Sequence, residues 1–321
     1  MPTFREEINL MKKIVPILIL LLLCGCSANK APEYSSTLFM MDTVCAIRID
    51  GKSSPDAISA AFDRISEIEA ATDYYSEDSE VSAINRAAAG EVIPLGDDLF
   101  NILKACLSVC EKSEGAFDIT IAPLKDAWNF SAENPAPPTD DAIAQALSLV
   151  DYKQLILDEQ NKTLTKTSSA CKIDLGAAAK GYAADCAAEV LREHDCRWAV
   201  IDLGGNICVV GKNPARRNGE WIIGLQEPFA DSGEYFTTVS ITDGAVVTAG
   251  VYQRYFEYDG NIYHHILDTD TGFPCDNGLE SASIKTDSAL MADCLSTACL
   301  ALGSDAGHSL ADEFGANLIT R

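Results

Sequence analysis

A turn in the middle of the chain carries the residue types that bind phosphate. An apolar run ends at Asp174, Gly176 follows, and alanine-rich sequence continues to Asp185, which is typical of a strand, a turn and the start of a helix. The first N–H groups of such a helix are unpaired and can bind phosphate oxygens. Because Asp174 would repel a phosphate unless a cation lay between them, the stretch indicates a metal-bridged phosphoryl ligand. An ordinary strand-to-helix turn with an N-terminal cap is the alternative.

A second candidate group lies near the C-terminus. Residues 288–302 have the pattern of a helix, with Ser288 as a cap and Gly303 as its end. On this helix Asp293 and Thr297 are four residues apart and share a face. A carboxylate and a hydroxyl one turn apart suit a hard cation such as Mg²⁺. The alternative is a threonine in the core beside a solvated aspartate.

The four histidines, at positions 194, 264, 265 and 308, are too few and too scattered for a zinc cluster. His264 and His265 lie in a loop that also contains Asp268 and Gly272. A neutral imidazole there could act as a general base, although a structural hydrogen-bonding role is equally compatible with the spacing. The chain contains no GxxxxGK[ST], HExxH or GxSxG motif, which excludes the best-known phosphate-loop, zinc-protease and serine-hydrolase classes.

A short repeat points to the same region of the fold. The tetrapeptide Ile-Asp-Leu-Gly of residues 173–176 recurs at residues 201–204, where Gly205 and Asn206 follow. The repeat predicts two neighbouring strand ends that present an aspartate and a glycine turn to one region. Chance repetition of four common residues is the alternative.

The hydrophobic pattern predicts the elements that must position these groups. The length suggests two domains or one bilobed domain. Residues 129–141 are rich in Pro, Asn and Asp and predict a surface loop, while residues 116–121 predict a turn or a strand. The predicted helices span residues 54–72, 97–111, 142–150, 177–194 and 288–302; the predicted strands span residues 38–49, 221–225, 235–241, 245–249 and 254–258, with a hairpin turn at Asp259-Gly260.

The charge balance limits the possible partners. The chain of 321 residues carries 48 acidic and 24 basic residues, a formal net charge of −24. Nucleic acid and anionic lipid surfaces are bound by clustered Lys and Arg, so neither is expected as a partner. An anionic ligand can bind only where local donors or a metal overcome this background.

The N-terminus has the features of a targeting segment. A basic region at Met11-Lys12-Lys13 precedes an apolar run over residues 14–23, which is short for a membrane span. Acidic residues before Met11 favour Met11 as the start of translation. The run ends in Leu-Cys-Gly-Cys, which resembles a bacterial lipobox with Cys26 as the lipidated residue; a plain secretory signal is the alternative. We therefore expect an exported protein that is lipid-anchored on the extracytoplasmic face of the bacterial membrane. The expected organisation is a signal peptide over residues 1–25, a lipidated tether over residues 26–37 and a folded domain over residues 38–321.

The cysteines leave two possibilities open. Ten remain after Cys24 and Cys26 are set aside, and an exported protein could pair them in disulfides. Most lie inside apolar runs, where cysteine behaves as a small buried hydrophobic residue, and no CxxC motif occurs. We therefore expect mostly free thiols.

Eight short motifs follow one another along the chain. They are Met41-Asp42-Thr43, Tyr75-x-x-Asp78-Ser79, Gly115-Ala116-Phe117-Asp118, Asp174-Leu175-Gly176 with Lys180-Gly181-Tyr182-Ala183, Asp202-Leu203-Gly204-Gly205-Asn206, Thr248-Ala249-Gly250, His265-Ile266-Leu267-Asp268 with Thr271-Gly272-x-Pro274, and Asp293-x-x-x-Thr297. Taken together and in this order, they resemble the motifs of the ApbE family of FAD:protein FMN transferases, and the resemblance covers the chain from Leu38 to its C-terminus.

This resemblance implies a fold and a reaction. The fold is a mixed α/β, bilobed arrangement in which helices flank a substantial antiparallel sheet. The enzyme splits FAD, its substrate, and attaches FMN through a phosphoester bond to a threonine of a target flavoprotein, releasing AMP. The targets are subunits of membrane redox complexes. The resemblance implies three sets of site residues. The carbonyl of Ala177 would bind Mg²⁺ with Asp293 and Thr297, with Ser296 close by, and His265 would act as the base. The residues that would bind FAD are Met41, Tyr75, Ala116, Phe117, Asp118, Asp174, Lys180 and Ile266.

Departures from the family pattern leave these ligands in place. Asp42 replaces a glycine that usually follows the methionine, and Thr269 replaces a proline. Two other functions use nearly the same site: an FAD pyrophosphatase, in which water replaces the threonine, and a non-catalytic FAD-binding lipoprotein.

Overall fold

A large antiparallel sheet forms the centre of the computed structural model, which describes residues 33–231 and 233–321. Seven strands form it in the order β1-β2-β6-β7-β10-β13-β14. The strands of the described residues are β1 (Glu33–Met40), β2 (Thr43–Asp50), β3 (Val92–Pro94), β4 (Leu155–Asp158), β5 (Thr163–Lys166), β6 (Ala199–Leu203), β7 (Asn206–Val210), β8 (Trp221–Gln226), β9 (Tyr235–Ile241), β10 (Gly244–Gly250), β11 (Tyr255–Tyr258), β12 (Asn261–His264), β13 (Ser281–Thr286) and β14 (Asn317–Thr320).

The helices pack mainly against one face of this sheet. Strand β2 buries Cys45, Ile47 and Ile49 at alternate positions, and these side chains join the main hydrophobic core with residues of the helices. The α-helices of the described residues are α1 (Asp56–Thr72), α2 (Glu80–Arg86), α3 (Asp97–Lys112), α4 (Ala122–Trp128), α5 (Asp140–Leu147), α6 (Ala179–Glu193), α7 (Ala289–Leu302) and α8 (Ser304–Glu313); a 3₁₀-helix spans Tyr152–Gln154.

Helices α6 and α7 are central to this layer. Helix α6 contacts α1, α7 and β7, and α7 contacts β10, β13 and α8. The side chain of Ser288 caps α7 by accepting a hydrogen bond from Met291 N at 3.3 Å. The helix ends at Gly303, whose φ of +81° is in the left-handed region. Residues 33–321 form one compact unit.

Smaller sheets and clusters surround the central layer. Strands β3-β5-β4 form a three-stranded sheet, and β8-β9 and β11-β12 form two-stranded ribbons. Trp128 on α4 packs in a second apolar cluster with Leu124, Ile143 and Phe256. Its indole N–H donates to the carbonyl of Gly272 at 2.8 Å.

The predicted fold class, mixed α/β with a large antiparallel sheet flanked by helices, is confirmed. The helices predicted over residues 54–72, 97–111 and 288–302 occur as α1, α3 and α7 with small shifts at their ends. The single strand predicted over residues 38–49 is wrong, because a turn at Met41 and Asp42 divides it into the hairpin β1-β2. Helices α2, α4 and α8 have no counterpart among the predicted helices, and β1 begins at Glu33, before the expected start of the folded domain at Leu38.

The strand predicted immediately before Asp174 is also wrong. Residues 171–175 have no regular secondary structure, and a turn leads directly into α6. The side chain of Asn85 takes the place of a neighbouring strand: its Oδ1 accepts from Ile173 N at 2.7 Å and its Nδ2 donates to Ile173 O at 2.9 Å.

The expectation of free thiols holds in the described part of the chain, where all ten cysteines are free and nine are buried. Burial raises the pKa of the Cys45 thiol to about 11. The predicted signal peptide and the lipidated Cys26 lie outside the described residues. Within residues 33–231 and 233–321, no helix combines the length and hydropathy that a membrane span requires.

Candidate functional site

One cavity of about 1290 Å³ brings together residues from most of the chain. It exceeds the roughly 300–1000 Å³ of ordinary small-molecule pockets, so it offers room for a dinucleotide. All twelve described residues that the sequence analysis assigned to the site line it. They are Met41, Tyr75, Ala116, Phe117, Asp118, Asp174, Ala177, Lys180, His265, Ile266, Asp293 and Thr297.

Two neighbouring hairpin turns form one wall of the cavity. The β1-β2 turn consists of Met41 and Asp42, with φ values of 51° and 59°, and the β6-β7 turn consists of Gly204 and Gly205. Positive φ at both turn positions is the geometry that two-residue hairpins favour. A Cβ atom at Gly204 would lie 2.2 Å from Thr43 Oγ1, so the close approach of the two turns requires glycine there.

Side chains from other elements hold the first of these turns. Met41 N donates to Glu69 Oε1 at 2.5 Å, which ties the turn to α1. Asp42 Oδ2 forms an ion pair with Arg254 Nη2 at 2.7 Å, across to the segment that precedes β11. Asp42 and Met41 are not glycines, and placing such residues in the left-handed region costs roughly 1 kcal/mol or more each. These two contacts help to hold them there.

The cation beside Asp174 is a lysine of the chain itself. Asp174 Oδ2 forms an ion pair with Lys125 Nζ, while its Oδ1 accepts from Gly176 N at 2.9 Å. Lys125 of α4 therefore provides a positive charge beside Asp174, where the sequence argument considered a metal alone. The metal-bridged phosphoryl ligand stays a prediction. Lys125 could not be identified from the sequence, because it is 49 residues away from Asp174 and belongs to none of the motifs.

Two tyrosine rings surround this lysine. Lys125 Nζ lies 5.4 Å from the ring centroid of Tyr74 and 5.6 Å from that of Tyr75, within the range of cation–π contacts. The hydroxyl of Tyr74 donates to Asp126 Oδ2 at 2.7 Å. Tyr75 remains 75% exposed at the cavity, so its ring is available to a planar ligand.

Helices α6 and α7 cap each other's N-termini. Asp293 of α7 is only 4% exposed, and its Oδ2 accepts from Gly181 N of α6 at 2.9 Å. In return, the carboxylate of Asp185 of α6 accepts from Ala289 N at 2.7 Å and Leu290 N at 3.0 Å. Burial raises the pKa of Asp185, although these hydrogen bonds act in the opposite direction. The pair of caps fixes Asp293 against the start of α6.

The oxygen atoms near Asp293 suit a hard cation. The cavity lining includes Ala177, Ser296 and Thr297 beside Asp293, so a carboxylate, two hydroxyls and backbone carbonyls are available. Among residues 33–231 and 233–321, no group of three or more His, Cys, Asp and Glu side chains could hold a metal. A transition-metal site of that kind is therefore not seen in this part of the chain, whereas an all-oxygen set with one carboxylate is compatible with Mg²⁺.

The charges of the lining favour a cation. Three basic side chains, Lys125, Lys180 and Arg254, line the cavity. Seven acidic side chains line it as well, an excess of four negative charges: Asp42, Glu69, Asp73, Asp118, Asp126, Asp174 and Asp293. This formal excess of negative charge opposes a phosphorylated ligand and favours a cation in the cavity.

His265 is held as a neutral imidazole with one free nitrogen. Its Nδ1 lies 3.2 Å from the carbonyl oxygen of Arg254, which can only accept, so Nδ1 carries the proton and Nε2 has a free lone pair. Burial, assisted by the nearby charges of Arg254, His264 and Lys180, lowers the pKa of His265 to about 4, although the Arg254 carbonyl opposes this shift. The residue is therefore unprotonated near neutral pH and can accept a proton.

The carboxylate of Asp118 has a structural role. Its Oδ1 accepts from Thr120 N and Thr120 Oγ1, both at 2.7 Å, and its Oδ2 accepts from Tyr152 N at 2.8 Å. Burial raises the pKa of Asp118, and these hydrogen bonds oppose the shift. Asp118 thus fixes the loop that presents Ala116 and Phe117 to the cavity.

The two copies of the repeated tetrapeptide behave differently. Asp174 and Gly176 line the cavity, as do Gly204 and Asn206 of the second copy. Asp202 does not appear in the lining; its Oδ1 accepts from Gly205 N at 2.8 Å and closes its own turn. The predicted convergence is therefore correct for the glycine turns and wrong for the second aspartate.

Comparison with known proteins agrees with this geometry. The family model described as "ApbE family" matches residues 41–319. The FAD:protein FMN transferase of Treponema pallidum is 32% identical over 306 residues, covering 91% of this chain and 84% of that protein. That of Klebsiella pneumoniae is 34% identical over 230 residues, covering 72% and 70%. The crystal structure of the ApbE protein from Thermotoga maritima has a TM-score of 0.81 at 30% identity, covering 90% of this chain and 94% of that one.

Proposed function

The chain belongs to the ApbE family, and from this premise we propose that it is a Mg²⁺-dependent FAD:protein FMN transferase. In this reaction FAD is split, FMN is attached through a phosphoester bond to a threonine of a target flavoprotein, and AMP is released. The observation that carries the proposal is convergence: the twelve site residues that the resemblance implies, from Met41 to Thr297, all line one cavity of dinucleotide size.

Lys180 is the basic group best placed to bind the diphosphate of FAD. Of the three basic side chains in the cavity lining, Lys125 and Arg254 form ion pairs with Asp174 and Asp42. Within the described residues, Lys180 Nζ has one recorded hydrogen bond, to the carbonyl of Gly176 at 3.2 Å. Its charge is therefore available to a phosphate at the start of α6.

The residues that would hold Mg²⁺ are Asp293, Thr297 and the carbonyl of Ala177, with Ser296 beside them. Support comes from the all-oxygen donor set and from the negative excess of the lining. When bound there, Mg²⁺ neutralises charge on the diphosphate and makes the phosphorus under attack more electrophilic. Gly181 N donates to Asp293 Oδ2 at 2.9 Å and thereby orients the carboxylate.

His265 serves as the base for the acceptor hydroxyl. The Arg254 carbonyl holds its Nδ1–H, so Nε2 takes the proton of the threonine. The threonine oxygen forms a bond to the phosphorus of the FMN half, and the bond from that phosphorus to the bridging oxygen breaks. AMP leaves with the bridging oxygen. The low pKa of His265 keeps the residue unprotonated at neutral pH.

We further propose where the protein works and on what. The lipobox-like sequence at Cys26 supports an exported protein that is lipid-anchored to the bacterial membrane on its extracytoplasmic face. The acceptors on that face are flavoprotein subunits of membrane redox complexes. The net charge of −24 makes nucleic acid an unsuitable partner.

The test is a mass measurement on a candidate acceptor domain incubated with the protein, FAD and Mg²⁺. We expect a gain equal to one FMN phosphoester, and no gain on an acceptor whose threonine is replaced by valine. Asp293→Ala should abolish Mg²⁺-dependent turnover, and His265→Ala should impair transfer while FAD still binds. Free FMN and AMP without flavin on the acceptor would instead identify a pyrophosphatase. FAD retained without AMP release would identify a binding protein.

A further inference from the structure

A buried amide in the cavity wall has no partner among the described residues. Three buried side-chain atoms of this part of the chain lack a hydrogen-bond partner: Asn206 Nδ2, His264 Nδ1 and Ser281 Oγ. Of these three residues only Asn206 lines the cavity. No role in the site was assigned to it from its position in the motif.

The backbone fixes the direction of this side chain. Asn206 is the first residue of β7 and follows the Gly204–Gly205 turn. Alternate residues of a strand share a face, so Asn206 points to the same side as Cys208 and Val210. Those two side chains belong to the main core, on the side where β7 contacts α6 and α7. Asn206 therefore faces the helices that carry Lys180 and Asp293, and it is only 4% exposed.

Burying an unpaired amide donor is unfavourable, so such groups are rare, and one that lines a cavity is a candidate to bind a ligand. We propose that Asn206 is a substrate-binding residue whose Nδ2 donates a hydrogen bond to an acceptor oxygen of the bound dinucleotide. The identity of the ligand rests on the proposed function. The unpaired donor lowers the stability of the ligand-free protein, and the ligand relieves this cost when it binds.

The proposal predicts opposite effects on stability and on binding. Asn206→Leu keeps the side-chain size and removes the donor, so the Tm of the ligand-free protein should stay the same or rise. The affinity for FAD should fall by about ten- to a hundredfold, the range for a hydrogen bond to a charged or strongly polar acceptor. Asn206→Asp should weaken binding at least as much, because a carboxylate cannot donate and repels the diphosphate. If Asn206 had only a structural role, its substitution would lower the Tm of the protein and leave the FAD affinity of the folded protein unchanged.

Ser281→Ala is the matched control, because it removes an unpaired buried group of β13 that does not line the cavity. Its FAD affinity should equal that of the unchanged protein. The experiment uses the full chain, thermal melts without ligand, and FAD titration with Mg²⁺ in the absence of acceptor. Wild-type FAD affinity in Asn206→Leu, or a large fall of its ligand-free Tm, would overturn the assignment.

The same experiments distinguish a failure of the proposed function from a failure of the Asn206 assignment. If the unchanged protein binds FAD and transfers no flavin, the transferase proposal fails, and the Asn206 variants still decide the binding role. If the unchanged protein transfers FMN and Asn206→Leu binds FAD normally, only the assignment of Asn206 fails.

Discussion

Replacing Gly181 by alanine should damage the proposed cation site by pushing two helices apart. A Cβ atom at Gly181 would lie 2.3 Å from the carbonyl oxygen of Ala289 and 2.7 Å from the Cβ atom of Asp293. Real Cβ contacts almost never fall below 3.0 Å, and both neighbours are rigid parts of α7. The start of α6 and the start of α7 must therefore separate by about 1 Å to reach ordinary van der Waals distances.

The cost follows from three terms. Overpacking of this kind costs about 1–3 kcal/mol, while alanine favours a helix over glycine by about 1 kcal/mol. Weakening the hydrogen bond from Gly181 N to the buried Asp293 carboxylate adds about 1.5 kcal/mol or more. We expect a net loss of about 1.5–3.5 kcal/mol in the free energy of unfolding, and a fall of Tm of about 3–6 °C for a domain of this size. Because a displacement of about 1 Å at a catalytic group can cost about 100-fold in rate, kcat should fall by that order.

The assay separates the site from general instability. FMN transfer is measured against Mg²⁺ concentration, well below the Tm of the variant. Gly181→Ala should raise the half-saturating Mg²⁺ concentration together with the loss in kcat. Gly307→Ala is the matched control: its Cβ would lie 2.9 Å from the carbonyl of Cys299 on the same helix α7, but Gly307 and Cys299 do not line the cavity. It should lose stability and keep the Mg²⁺ dependence. An unchanged Mg²⁺ dependence in Gly181→Ala would refute the reasoning.

Two further predictions concern charges in the cavity. The pKa of His265 is about 4 in the folded protein, compared with 6.5 for an unperturbed histidine. We therefore expect the plot of kcat/KM against pH to fall on its acid side near pH 4. A fall near pH 6.5 that disappears in His265→Ala would contradict this prediction. The same shift makes the stability contribution of His265 decrease as the pH falls from 6.5 to 4. Lys125→Met should weaken FAD binding about tenfold, because it leaves the negative charge of Asp174 without its partner. Adding Asp174→Asn to this variant should restore part of the FAD affinity, which calorimetric titration measures. Strictly additive effects of the two substitutions would exclude a coupling between Lys125 and Asp174.

Features encoded within a few residues were predictable from the sequence. Helix α3 (Asp97–Lys112) shows a regular apolar face, and α7 has a cap at Ser288 and a stop at Gly303, so their positions followed from local signals. The residues of the site were found because the family motifs are short, local and in a fixed order. All of the described ones line one cavity.

Features that depend on distant partners were not predictable. The turn at Met41 and Asp42 contains no glycine, and its left-handed conformation is held by Glu69 and Arg254, far along the chain. The apolar run before Asp174 had the composition of a strand, but the side chain of Asn85 satisfies Ile173, so no partner strand is needed. No local pattern reports such long-range hydrogen bonds.

The acidic groups of the cavity explain how an acidic protein can bind a diphosphate selectively. Of the seven carboxylates in the lining, only those of Asp42 and Asp174 are neutralised by basic side chains. The other five all accept hydrogen bonds from N–H or O–H donors, as Asp293 does from Gly181, which stabilises the negative charge without cancelling it. If the protein binds FAD as proposed, the dinucleotide adds further negative charge, and we expect its binding to be coupled to cation uptake. Linkage then requires that the dinucleotide strengthen cation binding by the same factor by which the cation strengthens dinucleotide binding.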